Sequence, residues 1–133
     1  MSFVFADTSF YIATVNPSDA FHQVAVEFAR DYEGRILTTE YVLVELGNWL
    51  ARAGDREVFI RLVESLQTDP DTVILPANPT LFEKGLTVYK QRPDKNWSLT
   101  DCISFAVMEE HSLSDALTAD HHFEQAGFRP VLR

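Results

Sequence analysis

Four acidic side chains, Asp7, Glu45, Asp101 and Asp120, stand where the chain passes between short apolar runs and helical stretches. Asp7 directly follows Phe3-Val4-Phe5-Ala6, and Asp120 comes two residues after Thr118 in Ala116-Leu117-Thr118. Asp101 falls in the first turn of a helix expected from Leu99. Glu45 lies about 60° from Val42 on a helix expected over residues 41–53, within the stripe that carries Leu46 and Trp49. Singly, each has an ordinary structural role. Asp7 and Asp120 suit helix N-caps, Asp101 lies three residues after Ser98 as in a capping box, and Glu45 can reach solvent from its stripe's edge. Together they would do chemistry. Two carboxylates ~4 Å apart repel by about 4 kcal/mol at an effective dielectric of about 20, so four in one pocket require protons or a counter-ion. Mg²⁺ or Mn²⁺ is a hard cation that takes carboxylate and water oxygens. Held there, it would polarise a phosphate and lower the pKa of a bound water for in-line attack.

The elements that must position these acids alternate along the chain. Phe3-Val4-Phe5-Ala6, Arg35-Ile36-Leu37-Thr38, Val73-Ile74-Leu75 and Ala116-Leu117-Thr118 read as short strands. Val131-Leu132 reads as a last one, at an edge because of Pro130. Phe21, Val24, Ala25, Phe28, Ala29 and Tyr32 fall on one helical face, closed by Gly34. Further helices are expected over 41–53, from a cap at Asp55 to Gln67, over 79–91 with Phe82, Leu86 and Tyr89 on one face, over 99–111, and over 121–126 before Gly127. This alternation predicts a single α/β domain over residues 1–133, with a mainly parallel central sheet flanked by helices. Ligands of such sheets bind beyond the carboxyl ends of the strands, which is where Asp7 and Asp120 fall.

The bulk properties bound the reading. At 133 residues, 46% of them hydrophobic, the chain has the size and apolar content of one domain. No basic leading segment opens Met1-Ser2-Phe3, and no apolar stretch approaches the ~18 residues of a membrane span. One cysteine, Cys102, excludes an intrachain disulfide and a cysteine-based zinc cluster; it reads as a small apolar core residue. A soluble cytoplasmic protein is expected. The net charge of −9 lacks the basic footprint of a nucleic-acid binder, a conflict that eases if metal bridges an acidic pocket to an anionic substrate. Positive charge is sparse. Arg52, Arg56 and Arg61 form one candidate patch, and Lys84, Lys90, Arg92 and Lys95 another.

Four segments carry a family resemblance. Phe5-Ala6-Asp7-Thr8-Ser9 resembles the opening of PIN domains, and residues 39–45 resemble their second acidic position. Ser98-Leu99-Thr100-Asp101-Cys102 resembles the third. Leu117-Thr118-Ala119-Asp120-His121-His122-Phe123, followed by Ala126-Gly127-Phe128, resembles the fourth. The segments occur in the family's order over nearly the whole chain. They are most similar to the small bacterial VapC-type toxins of type II toxin–antitoxin pairs. That resemblance implies an Mg²⁺- or Mn²⁺-dependent endoribonuclease acting on structured RNA such as tRNA, a homodimer, and inhibition by a cognate antitoxin. It implies Asp7, Glu45, Asp101 and Asp120 as metal ligands. Thr8, Ser9 and Thr100 are then candidates for positioning water or phosphate, with local capping as their alternative role. His121-His122 reads as a pair of polar, solvent-facing side chains near the site, with RNA contact as the less favoured role.

Other functions compete with this one. A nuclease of the same fold without an antitoxin would differ only in its genetic neighbourhood. A receiver-like signalling domain would carry paired acids after the first strand and a lysine near the last, whereas Thr8-Ser9 follows Asp7 and no lysine follows Lys95. A non-catalytic binding module would have no need of all four acids.

Overall fold

The computed structural model describes residues 2–133; Met1, which opens the segment read for a leader, lies outside them. The short apolar runs form β1 (Phe3–Ala6), β2 (Arg35–Thr39), β3 (Thr72–Leu75), β4 (Asp115–Leu117) and β5 (Arg129–Pro130). They make one five-stranded sheet in the order β3-β2-β1-β4-β5, and every pairing is parallel. Parallel neighbours need crossover connections, and helices supply them. These are α1 (Thr8–Val15), α2 (His22–Asp31), α3 (Glu40–Trp49), α4 (Arg56–Thr68), α5 (Pro79–Gln91), α6 (Leu99–Glu110) and α7 (His121–Gln125). The expected mainly parallel α/β sheet is thus present.

The chain order explains where a site can form. From β1 the chain steps outward through β2 to β3, then returns to place β4 on the opposite side of β1. The loops leaving β1 and β4 therefore diverge at their carboxyl ends, opening a crevice at the point of reversal. Asp7 follows one of these strands, and Asp120 closes the loop after the other.

The core beneath that crevice is dense and aromatic. Phe5, Leu46, Met108, Leu117 and Phe123 are all fully buried, each stabilising the fold by roughly 1.5–3 kcal/mol relative to exposure. Phe123 packs on Phe5 and edge-on against Phe105, which also meets Trp97. α6 is covered nearly all round its first three turns: Asp101, Cys102, Ile103, Ser104, Phe105, Val107 and Met108 are buried. Gly85 permits this on the α5 side, because a Cβ there would lie 2.9 Å from Ile103 Cα.

Several boundaries differ from the sequence pattern for physical reasons. α3 ends at Trp49, so the exposed stretch Ala51-Arg52-Ala53-Gly54 is not helical. Asp55 precedes α4, yet its backbone is already helical and its side chain caps nothing. On α5 the buried residues are Leu81 and Gly85, while Phe82 and Tyr89 remain exposed. The last strand is Arg129–Pro130 rather than Val131-Leu132. Proline is tolerated because β5 has no neighbour beyond it, and Arg129 and Val131 donate to Ser114 and Ala116 on either side. α7 ends as the pattern predicts. Gly127 has φ +96°, and the N–H groups of Gly127 and Phe128 close on the carbonyls of Glu124 and Phe123, a Schellman arrangement.

Candidate active site

Hydroxyl groups join the ends of β1 and β4. Thr118 Oγ1 donates to Asp7 Oδ2 at 3.0 Å, and Ser9 Oγ donates to the same oxygen at 3.1 Å. Thr118 Oγ1 accepts the Asp120 N–H at 3.0 Å, and Ser9 Oγ accepts that of Ala119 at 3.3 Å. Asp7 sits at the N-cap position of α1, but its side chain makes no capping bond. Both hydroxyls engage Oδ2, so Oδ1 is the oxygen left to meet a cation. Only 3% of Asp7 is exposed. Burial, then repulsion from Asp101, pushes its carboxyl up to about 7, against the pull of Thr118, the Thr8 N–H and Ser9.

Asp101 is held by a complete capping box. Ser98 Oγ accepts the Asp101 N–H at 3.0 Å, and Asp101 Oδ2 accepts the Ser98 N–H at 3.1 Å. The structural role foreseen for this residue is real, yet it also fixes the carboxylate in the crevice. Burial, with Asp120 adding to it, raises the Asp101 carboxyl above its ordinary range, opposed by the Ser98 N–H and by His122. His122 Nδ1 lies 3.1 Å from Asp101 Oδ2 and 3.3 Å from Asp120 Oδ2. Asp120 is half-buried and caps α7 by accepting the His122 N–H at 2.9 Å.

Asp7, Asp101 and Asp120 are therefore brought together. Glu45 is half-buried on α3, a helix that packs against both α1 and α6. Among the described residues it makes no hydrogen bond or ion pair with the other three acids. Among the described residues Thr8 is buried with its hydroxyl unpartnered, Ser9 is engaged as described, and Thr100 is half-buried without a bond to the cluster. Two members were not assigned to the site from the sequence. Thr118 is fully buried and carries the bonds between the strand ends. His122 is not loose surface polarity, since it spans two of the acids; His121 is exposed, with Nδ1 3.6 Å from Asp120 Oδ1.

The donor set suits a hard divalent cation. It consists of carboxylate oxygens, two of them on groups whose protons are held abnormally tightly. Asp120, His121 and His122 offer ligand atoms within 4.8 Å of one another. A cation would offset the burial and mutual repulsion that raise the Asp7 and Asp101 carboxyls.

Comparison with known proteins agrees with this fold. The PIN-domain pattern matches residues 4–129, and the chain belongs to the PIN-domain family. Its relatives place it among VapC-type ribonuclease toxins. The 23S rRNA-specific endonuclease VapC20 of Mycobacterium tuberculosis, in strains CDC 1551 / Oshkosh and ATCC 25618 / H37Rv, is 30% identical over 129 residues, 96% of this chain and 97% of the relative. The crystal structure of M. tuberculosis VapC20, a Sarcin-Ricin loop cleaving toxin, superposes with a TM-score of 0.86 at 25% identity, covering 96% of this chain and 97% of that one. FitAcB from Neisseria gonorrhoeae shares the fold, with a TM-score of 0.65 at 20% identity over 96% of this chain and 98% of that one.

Proposed function

We propose that this protein is a Mg²⁺- or Mn²⁺-dependent endoribonuclease and the toxin of a toxin–antitoxin pair, with Asp7, Glu45, Asp101 and Asp120 as its metal-binding and catalytic acids. The observation that carries the reading is the convergence of Asp7, Asp101 and Asp120 at the reversal point of the sheet, two of them with carboxyls raised by burial. The metal, when bound, supplies Lewis-acid polarisation of the phosphate and a water of lowered pKa. The residues do the rest. Asp7 presents Oδ1 while Ser9 and Thr118 hold Oδ2. Asp101 is locked by Ser98, and Asp120 stays oriented by its cap on α7. Glu45 on α3 is the fourth acid of the proposed site, and Thr8, Ser9 and Thr100 are its proposed water- or phosphate-positioning groups.

The substrate is a structured RNA. The cleavage of 23S rRNA by the VapC20 relative favours an exposed ribosomal loop of the sarcin–ricin kind over tRNA as its class. The protein works in the cytoplasm as a homodimer held inactive by a cognate antitoxin. Among the described residues no helix is long and apolar enough to cross a membrane. Expression in bacteria followed by sequencing of RNA 5′ ends tests this directly. One discrete new end in structured RNA, absent when Asp7→Asn is expressed, is the expected result; an unchanged set of RNA ends would overturn the proposal.

A further inference from the structure

The sequence's second basic patch has no part in the metal chemistry, and the structure gathers three of its four cations, Lys90, Arg92 and Lys95, around one cavity. Between Gln91 and the start of α6, the connecting loop and the end of α5 enclose a cavity of about 580 Å³ lined by Tyr89, Lys90, Arg92, Lys95 and Trp97. Lys90, Arg92 and Lys95 against Asp94 give residues 90–95 a net charge of +2 in a chain of −9. Arg92 lies over the Trp97 ring at 5.1 Å while its guanidinium is held by Asp94 through two 3.0 Å bonds. Trp97 is nearly buried and donates from Nε1 to Gln125 Oε1 at 3.0 Å. The floor of the cavity is therefore fixed to α7, the helix that carries His122.

Tyr89 points the other way in character. Half of its surface is exposed, although it is a large aromatic side chain at the rim of this basic cavity. Cations beside an exposed ring are what single-stranded RNA requires, with charge tracking the phosphates and a flat face stacking an unpaired base. The cavity is tied to the elements that carry the carboxylates through α6 and α7. Trp97 immediately precedes Ser98, the cap of α6, and Cys102, which also lines the cavity, follows Asp101.

We infer that the cavity between the end of α5 and the start of α6 is the RNA-holding subsite of the enzyme, with Lys90, Arg92 and Lys95 binding backbone phosphates flanking the cleaved bond and Tyr89 stacking an unpaired base. The inference rests on the nuclease reading and assigns the contacts that let an acidic protein hold an anionic substrate. Arg92 remains cationic beside Asp94, and the Asp94 carboxylate orients its fork along the Trp97 face. Phosphate must approach from the side of the guanidinium that Asp94 leaves free; Lys95 Nζ also lies 4.0 Å from Asp94 Oδ2, so Lys90 carries the larger share of the contact.

Binding and cleavage separate the subsite from the chemistry. The probe is a synthetic RNA stem-loop with an unpaired purine-rich loop, titrated by fluorescence anisotropy with the cleavage-incompetent Asp7→Asn protein at several salt concentrations. Changing Lys90, Arg92 and Lys95 to Gln in that background should weaken binding about tenfold or more and flatten the log Kd against log salt slope by roughly 0.7 per lost phosphate contact. Tyr89→Ala should weaken binding of the stem-loop but not of the fully paired stem. A control removing the same charge elsewhere, Arg30, Arg61 and Arg129 to Gln, should leave the slope unchanged, and thermal melts verify that every variant is folded. Cleavage by the triple variant in the wild-type background should show a raised KM with kcat retained. Equal slopes for the groove and control variants, or no RNA binding by the Asp7→Asn protein, would overturn the subsite. An unchanged KM in a wild-type enzyme that cleaves RNA would overturn the subsite alone; absence of cleavage by the wild type would overturn the nuclease reading.

Discussion

Replacing Asp7 by Asn should stabilise the metal-free protein, and do so only above the acidic range. Asp7 is buried and its carboxyl is raised from 3.8 to about 7. Between those values the folded state keeps a proton that the unfolded state has lost, so wild-type stability falls as pH rises through the window. A window of about three pH units at about 1.4 kcal/mol each corresponds to a loss of roughly 4 kcal/mol by pH 8. The carboxamide of Asp7→Asn carries no such charge and can still accept from Ser9 and Thr118. The variant should match wild type near pH 4 and exceed it by up to about 4 kcal/mol at pH 8, or roughly 2 M in urea midpoint at an m-value of about 2 kcal/mol/M. Urea titrations in EDTA across pH 4–8.5 measure this. Parallel pH profiles for the two proteins would refute the argument that burial holds the Asp7 proton.

Other perturbations test neighbouring parts of the account. Mn²⁺ at a hundredfold excess over its Kd should stabilise wild type by about 2.7 kcal/mol, seen as a rise in melting temperature that is lost in Asp101→Asn; the same variant should melt higher than wild type in EDTA at pH 8. Phe123→Ala empties the fully buried contact that anchors α7 on Phe5 and Phe105 and should cost about 3–5 kcal/mol in urea denaturation. Gly127→Ala meets no atoms within 4 Å but must adopt φ +96°, so a loss of about 1–2 kcal/mol is expected from backbone strain alone.

Much of this site lies in local sequence, and the exceptions are instructive. Phe3-Val4-Phe5-Ala6 before Asp7, the Ser98 and Asp101 pair, and Gly127 after α7 each encode an element and its end within a few residues. Local signals of that kind need no tertiary context. Thr118 gave no such signal, because its bond to Asp7 spans 111 residues and exists only when β1 and β4 pair. His122 likewise reaches Asp101 only once Phe123 has seated α7 against the core. The exposure of Tyr89 depends on Gly85, which lets α6 approach so closely that the buried face of α5 shifts to Leu81 and Gly85. Asp55 is a favoured cap by residue type, but its helical backbone turns the side chain away from that role. Glu45 shows the limit in the other direction: its residue type and position make it a candidate ligand, while among the described residues it makes no hydrogen bond or ion pair with the other acids.

The most direct test is quantitative RNA cleavage with Mn²⁺ by wild type and by the single variants Asp7→Asn, Glu45→Gln, Asp101→Asn and Asp120→Asn, together with the Asp7→Asn/Asp101→Asn double variant. If the four acids act as one metal site, each single change should lower kcat by about a hundredfold or more, and the double should be little worse than the worse single, since groups acting as a unit are not additive. Cleavage that persists in EDTA, or single variants that retain wild-type rates, would contradict the account.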